Sequence, residues 1–178
     1  MTNRDERRRQ LLDAMADHLL ASGLTGSPLR ALAAAAGTSD RMLLYYFADK
    51  DELLAALLDH VAARLVRLLD QDGRGPQPFA DLLRDLLAAA RSPLLRPYML
   101  LFMELAAAAG RGEEPQKTAA AGITARFIEW VAGRLSVVDA AERRARAALL
   151  LATLDGLFVL DCAGHADAAT AAVGGLGR

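Results

Sequence analysis

A single cysteine, Cys162, stands in the 178 residues. A lone thiol excludes a disulfide framework within one chain and any multi-cysteine metal site. Histidine is scarce as well: His18, His60 and His165 are too widely spaced to suggest a histidine-based metal site. No metal or cofactor is therefore expected. Aromatic side chains make up only 5% of the chain, β-branched residues are few, and no alternating apolar–polar run persists, so strand signals are nearly absent. The net charge of −1 lacks the surplus of a globally basic nucleic-acid binder, though it leaves room for a local basic face. A long apolar run is missing too. Residues 147–160 form the longest near the end, they are interrupted by Asp155, and a bilayer span needs about 20 residues. The first ten residues are charged and polar, without the apolar stretch of a secretory signal. The expectation is a soluble cytoplasmic protein with no membrane partner.

What the chain does have is alanine, leucine, arginine and glutamate, the good helix formers. Hydrophobic residues reach 53%, which excludes a disordered chain and supports a core for one large domain or two small ones. The fold class is all-α. Leu11, Leu12, Met15, Leu19 and Leu20 share one face of a first helix over 4–22, with Gly23 as its C-cap. Ser27-Pro28 reads as a cap and first-turn pair for a short helix to about residue 36. Ser39 caps a third helix to about 46. Asp49 caps a fourth to about 70, with Glu52 at capping-box spacing. The Gly- and Pro-rich stretch 72–78 is a break. Beyond it, helices are expected over 79–90, 93–109, 115–135 and 139–164, and the small, Gly-rich tail 165–178 is expected to fray.

Residues 29–46 make two short helices joined by a tight turn at Gly37, and Ala31, Leu32, Ala35 and Ala36 give the first a small-residue face. That is helix-turn-helix spacing, in which the second helix can project into a major groove. It is equally the spacing of an ordinary helical hairpin in a bundle.

The surrounding text narrows this. Residues 25–58 read TGSPLRALAAAAGTSDRMLLYYFADKDELLAALL. The order is an Ala-rich helix, Ala36-Gly37, Thr38, Ser39, a recognition-helix segment from Asp40 to Tyr45, the pair Tyr46-Phe47, Ala48-Asp49, then Lys50, Asp51-Glu52 and Leu53-Leu54. This pattern resembles the N-terminal region of the tetracycline-repressor (TetR) family of transcriptional regulators. Thr38 departs from the usual apolar residue. Leu44 stands at the position, three before Phe47, that is most often tyrosine, so Tyr45 or Tyr46 is left to supply the phosphate contact.

The resemblance implies a three-helix DNA-binding domain over 1–48 and a larger helical effector-binding and dimerisation domain over 49–178. The DNA-binding candidates are Arg7, Thr38, Ser39, Arg41, Met42, Tyr45, Tyr46 and Lys50. Residue chemistry agrees with several of them. Arg41 can fork onto guanine O6/N7 or hold a phosphate, and Met42 can touch a thymine methyl. Tyr45 and Tyr46 each offer a hydroxyl to phosphate. Lys50 lies in the first turn of a helix, where a cation opposes the helix dipole, and a phosphate there would reward both. Yet residues 1–50 hold seven basic and six acidic side chains, so affinity must come from placement and from doubling in a dimer.

The remaining two-thirds shows no phosphate loop, HExxH or GxSxG, so an enzyme is not expected. The segment 147–160 is apolar on nearly all sides and is expected to be enclosed, most simply by pairing in a C2 homodimer. The dimer candidates are Ile123, Leu150, Leu154, Asp155, Gly156 and Leu157, with Arg126 or Arg134 as a partner for Asp155. By resemblance the middle helices enclose an effector pocket, with Tyr98, Met99, Phe102, Met103, Phe127 and Trp130 as candidate lining; core packing explains each of these equally well. Glu104 either greets a polar ligand or faces water.

The expected function is a dimeric regulator, a repressor, that leaves a near-palindromic double-stranded operator when a small apolar effector binds. The alternative is a helical small-molecule-binding or protein-interaction dimer that has lost DNA binding.

Overall fold

The structure is a computed structural model and describes residues 3–175. Its described residues form nine α-helices. They are α1 (Asn3–Ser22), α2 (Leu29–Ala35), α3 (Asp40–Tyr46), α4 (Lys50–Leu69), α5 (Phe79–Arg91), α6 (Arg96–Gly110), α7 (Gln116–Arg134), α8 (Ala140–Cys162) and α9 (Ala166–Gly175). The described residues contain no strand, only one bridge between Gln77 and Leu135. No helix among them is long and apolar enough to cross a membrane.

The chain divides into two compact units. The first extends to Leu69 and includes Pro97–Ile123. Its core is built by the apolar stripes the spacing predicts. Leu11, Met15 and Leu19 of α1 meet Leu53, Leu57 and Val61 of α4, while Leu32 of α2, Leu43 of α3 and Phe47 close the end; all are buried. Ion pairs run along the outside of the α1–α4 seam. His60 contacts Asp13 at 2.7 Å, and Arg64 pairs with Asp17.

Glycine and acidic caps set the breaks between these helices. Gly23 (φ +70°) ends α1 by donating to the Leu19 carbonyl at 2.9 Å. Asp49 accepts the Glu52 N–H at 2.8 Å and so starts α4. The Glu52 side chain accepts the N–H of Ala48, one residue earlier than a capping box requires. Ser27 does not cap α2 as expected. Its hydroxyl donates back to the Gly23 carbonyl at 2.7 Å, and Pro28, which has no capping side chain, takes the cap position.

The second unit comprises Asp70–Arg96 and the chain from Thr124 onward. Leu83 and Leu87 of α5 pack with Leu150 and Phe158 of α8. Asp139 caps α8 by accepting the Glu142 N–H at 2.8 Å. Arg91 forks onto Asp161 at 2.5 and 2.7 Å and also donates to the Thr170 hydroxyl and the Ala166 carbonyl. That guanidinium holds the Asp161 carboxyl below the usual carboxylate range, against an opposing push from its burial.

The tail is a correction to the sequence reading. Residues 166–175 form α9, because Ala169 and Val173, four apart, present a small buried stripe to α8 and α5. The end of the expected frayed tail, 176–178, lies outside the described residues.

Candidate nucleic-acid interface

The turn between α2 and α3 is left-handed at Gly37 (φ +61°), a conformation that only glycine adopts freely. The Thr38 N–H closes it onto the Ala33 carbonyl at 2.9 Å. Ser39 then caps α3, its hydroxyl accepting the Met42 N–H at 3.3 Å. Leu43 is fully buried and Phe47 nearly so, which pins one side of this two-turn helix to the core. The opposite side is open. Arg41 is exposed, and so are Met42, Leu44 and Tyr45, the last at 62%. Apolar side chains left in water on a helix of seven residues are an unfavourable arrangement for an isolated protein and a useful one for a reading surface.

Placement sorts the predicted residues. Ser39, Arg41, Met42, Tyr45 and Lys50 are exposed, and Thr38 and Tyr46 are half-buried. Tyr45 and Tyr46 meet edge to face with centroids 5.2 Å apart. Lys50 opens α4 and makes no ion pair among the described residues. Arg7 is exposed and donates to Gln10 at 3.2 Å. Arg4 and Arg8, which with Arg7 and Arg9 make the basic start of the first helix that the resemblance sets against the DNA backbone, also reach this end of the unit. Arg4 donates to the Tyr45 carbonyl at 3.2 Å, and Arg8 pairs with Glu52 at 2.8 Å. Their i, i+4 spacing on α1 was visible; their partners about forty residues away were not.

Glu104 is a further surprise. Its carboxylate accepts the Leu24 N–H at 2.8 Å, so it does more than face water. A Cβ at Gly23 would meet the carboxylate, which would have to shift away.

The effector candidates divide between the two units. In the first, Tyr98 is buried and burial pushes its phenol above its usual range, while Met99, Phe102 and Met103 are half-buried. In the second, Phe127 and Trp130 meet edge to face at 6.5 Å. The Trp130 indole N–H is committed to Asp70 at 2.9 Å, and Arg134 covers the ring while pairing with the same carboxylate.

Of the dimer candidates, Ile123, Leu150, Leu154 and Leu157 are already buried in the single chain. Gly156 is exposed, and Asp155 is half-buried. Arg134 is engaged by Asp70 rather than by Asp155. Burial without a partner raises the Asp155 carboxyl to about 6. The helix is enclosed on one side only: Ala145, Ala148, Leu149, Ala152, Gly156, Val159 and Leu160 form an exposed small and apolar stripe along α8.

Comparison with known proteins agrees with this geometry. Residues 11–57 match the family described as bacterial regulatory proteins, tetR family. The chain is 41% identical over 58 residues to the HTH-type transcriptional regulator BetI of Burkholderia thailandensis; the match covers 33% of this chain and 30% of that one. The chain thus matches less than a third of the length of such curated relatives. Among solved structures it resembles one described as a TetR-family transcriptional regulator from Rhodococcus sp., with a TM-score of 0.73, 26% identity and 97% of both chains covered. A transcriptional regulator from Rhodococcus sp. Rha1 superposes with a TM-score of 0.67 and 27% identity, over 88% of this chain and 83% of the other. The capped α3, the glycine turn before it and these likenesses converge: residues 11–57 match the TetR family of bacterial regulatory proteins, and the chain as a whole resembles solved regulators of that family.

Proposed function

We propose that the chain is a cytoplasmic, homodimeric repressor that reads double-stranded DNA with α3 and performs no chemistry on its ligand. The observation that carries this reading is the outer face of α3. Arg41, Met42 and Tyr45 stand clear of the core on a helix whose inner side is locked by Leu43. Arg41 and Met42 are the base-reading pair, and Tyr45, Tyr46, Ser39, Thr38, Lys50 and Arg7 supply phosphate contacts. Residues 1–48 form the DNA-binding domain and 49–178 the remainder. Two copies of α3 entering successive major grooves would stand about 34–36 Å apart.

Dimerisation is supported by the exposed α8 stripe. Its members recur every three or four residues, with alanine and glycine permitting close approach and Leu149, Val159 and Leu160 providing apolar area. A helix face of this kind is satisfied by its own two-fold mate. Gly156 and Asp155 border that stripe. A small apolar effector is expected to meet the half-buried Met99, Phe102 and Met103 of α6, whose flexible side chains suit an adaptable site. It would release DNA by favouring a dimer with another helix separation, and a full switch needs a preference of about 10⁴-fold.

The test is selection from a random duplex pool at low and moderate salt. A near-palindrome should be enriched, and a dimer neutralising roughly eight phosphates should lose affinity with a log–log salt slope of about −7. The alternative, a dimer without DNA binding, is favoured by Leu44 in place of the usual tyrosine and by the near-neutral first fifty residues. It predicts no enriched sequence from folded, dimeric protein.

A further inference from the structure

Four arginines open α1, and the structure does not treat them alike. Arg7 points to solvent beside Gln10, and Arg9 pairs with Glu6 on the same helix. Arg4 and Arg8, one turn apart, instead engage α3 and the junction that follows it. The Arg4 guanidinium donates to the Tyr45 carbonyl at 3.2 Å and lies over the Tyr45 ring at 5.4 Å. That carbonyl is among the last of α3, where a helix leaves acceptors without an internal partner and where its dipole favours a cation. The Arg8 guanidinium lies over the Phe47 ring at 4.7 Å and pairs with Glu52 at 2.8 Å. Glu52 in turn accepts the Ala48 N–H. One arginine therefore holds the end of α3, and the other holds the residues that join α3 to α4.

We propose that Arg4 and Arg8 are positioning residues for base reading: they fix the pose of α3 and its outward Tyr45 and do not act as phosphate contacts. The physical ground is the shape of the two contacts. A planar guanidinium can stack on a ring and direct its N–H groups to an oxygen at the same time; an ammonium cannot do both. α3 is only two turns long and is anchored by Leu43 and Phe47 on one side, so without a hold at its C-terminal end it is free to rock about that anchor. A rocking reading helix loses alignment with base edges, while phosphate attraction, which needs no alignment of that kind, survives.

This rests on the DNA-binding reading above, and the test separates the two. Arg4→Lys and Arg8→Lys keep the charge and lose the fork and the stack. Dimeric protein is titrated with the duplex recovered by selection and with a shuffled duplex, across a range of salt. Positioning predicts that each variant loses about tenfold on the selected duplex, changes less than about twofold on the shuffled one, and keeps the wild-type salt slope. Near-wild-type binding of both duplexes by the Lys variants would overturn the inference and return these arginines to a phosphate role. Equal loss on both duplexes would overturn it too, as the mark of a merely structural defect.

A second readout does not depend on DNA. Amide hydrogen exchange at Phe47 and Ala48 should quicken about tenfold in the variants, while the middle of α4 keeps its protection. Unchanged exchange there would also overturn the proposal. A wild-type protein that selects no sequence would instead overturn the functional reading and leave the exchange prediction to decide the placement of α3.

Discussion

Replacing Asp155 with asparagine should stabilise the protein, and the gain should depend on pH. The carboxyl is half-buried on α8, has no hydrogen bond or ion pair among the described residues, and is raised by desolvation from 3.8 to about 6. A carboxyl raised in the folded state keeps its proton where the unfolded chain has released it. Stability is therefore fully present below about pH 4 and is lost as pH rises through 6. A shift of about two units at 1.36 kcal/mol each sets an upper bound near 3 kcal/mol. Part of the carboxylate's surroundings stays open to water, which screens it, so a gain of about 1–2 kcal/mol is expected.

The assay is urea unfolding of wild type and Asp155→Asn at pH 4 and 7.5, each at several protein concentrations. The variant should be more stable by about 1–2 kcal/mol at pH 7.5 and indistinguishable at pH 4. A loss of stability at pH 7.5 would refute the reasoning. It would mean that a cation satisfies Asp155 in the assembled protein, and the concentration series would show whether that cation comes from a second copy.

Gly23→Ala should cost about 1–2 kcal/mol for the left-handed backbone alone, plus the hydrogen bond to the Leu24 N–H if the Glu104 carboxylate is pushed aside. Thermal melting should show Glu104→Ala relieving the second part only, so the two substitutions are non-additive. Arg91→Ala leaves the buried Asp161 carboxylate without its fork and should cost about 3 kcal/mol in chemical denaturation near neutrality. Because Arg91 holds the Asp161 carboxyl low, wild type loses this contribution as pH falls through the lowered value, and the gap between the two proteins should narrow in acid. On the homodimer reading, Val159→Glu places a charge in the exposed α8 stripe, and equilibrium sedimentation should show monomers at concentrations where wild type is expected to pair. Preserved dimers would move the interface off that face.

Much of this molecule was readable before the structure because its helices are amphipathic and sharply punctuated. Gly23, Gly37, Ser39, Asp49 and Asp139 each sit at a break that the chemistry of capping demands. The misreadings have physical reasons. In α9 alanine and glycine outnumber every other residue, so periodicity had almost no contrast to work with, and only packing picks out Ala169 and Val173. In α8 apolar residues surround the helix, so sequence alone could not divide Leu150, Leu154 and Leu157, which face the chain's own core, from Leu149, Val159 and Leu160, which do not. Ser27 has the right type and place for a cap, yet its hydroxyl finds the Gly23 carbonyl first. Glu104 finds its partner eighty residues away, a distance no local pattern encodes.

The arginines at the head of α1 have a consequence for how such a protein would search a genome. Arg8 and Arg9 are paired with the carboxylates of Glu52 and Glu6, Arg4 is held by the end of α3, and Arg7 alone of the four points to solvent beside Gln10. With seven basic and six acidic side chains in the first fifty residues, little positive charge is left over to grip arbitrary duplex. On the DNA-binding reading, background affinity is low, and the roughly 10⁶–10⁹ competing sites of a genome sequester few molecules. The complement is a short residence on each wrong site and little one-dimensional sliding. Occupancy of the operator then rests on repeated encounters from solution and on the quality of base contacts, so cellular copy number, more than ionic attraction, would set how completely the operator is filled.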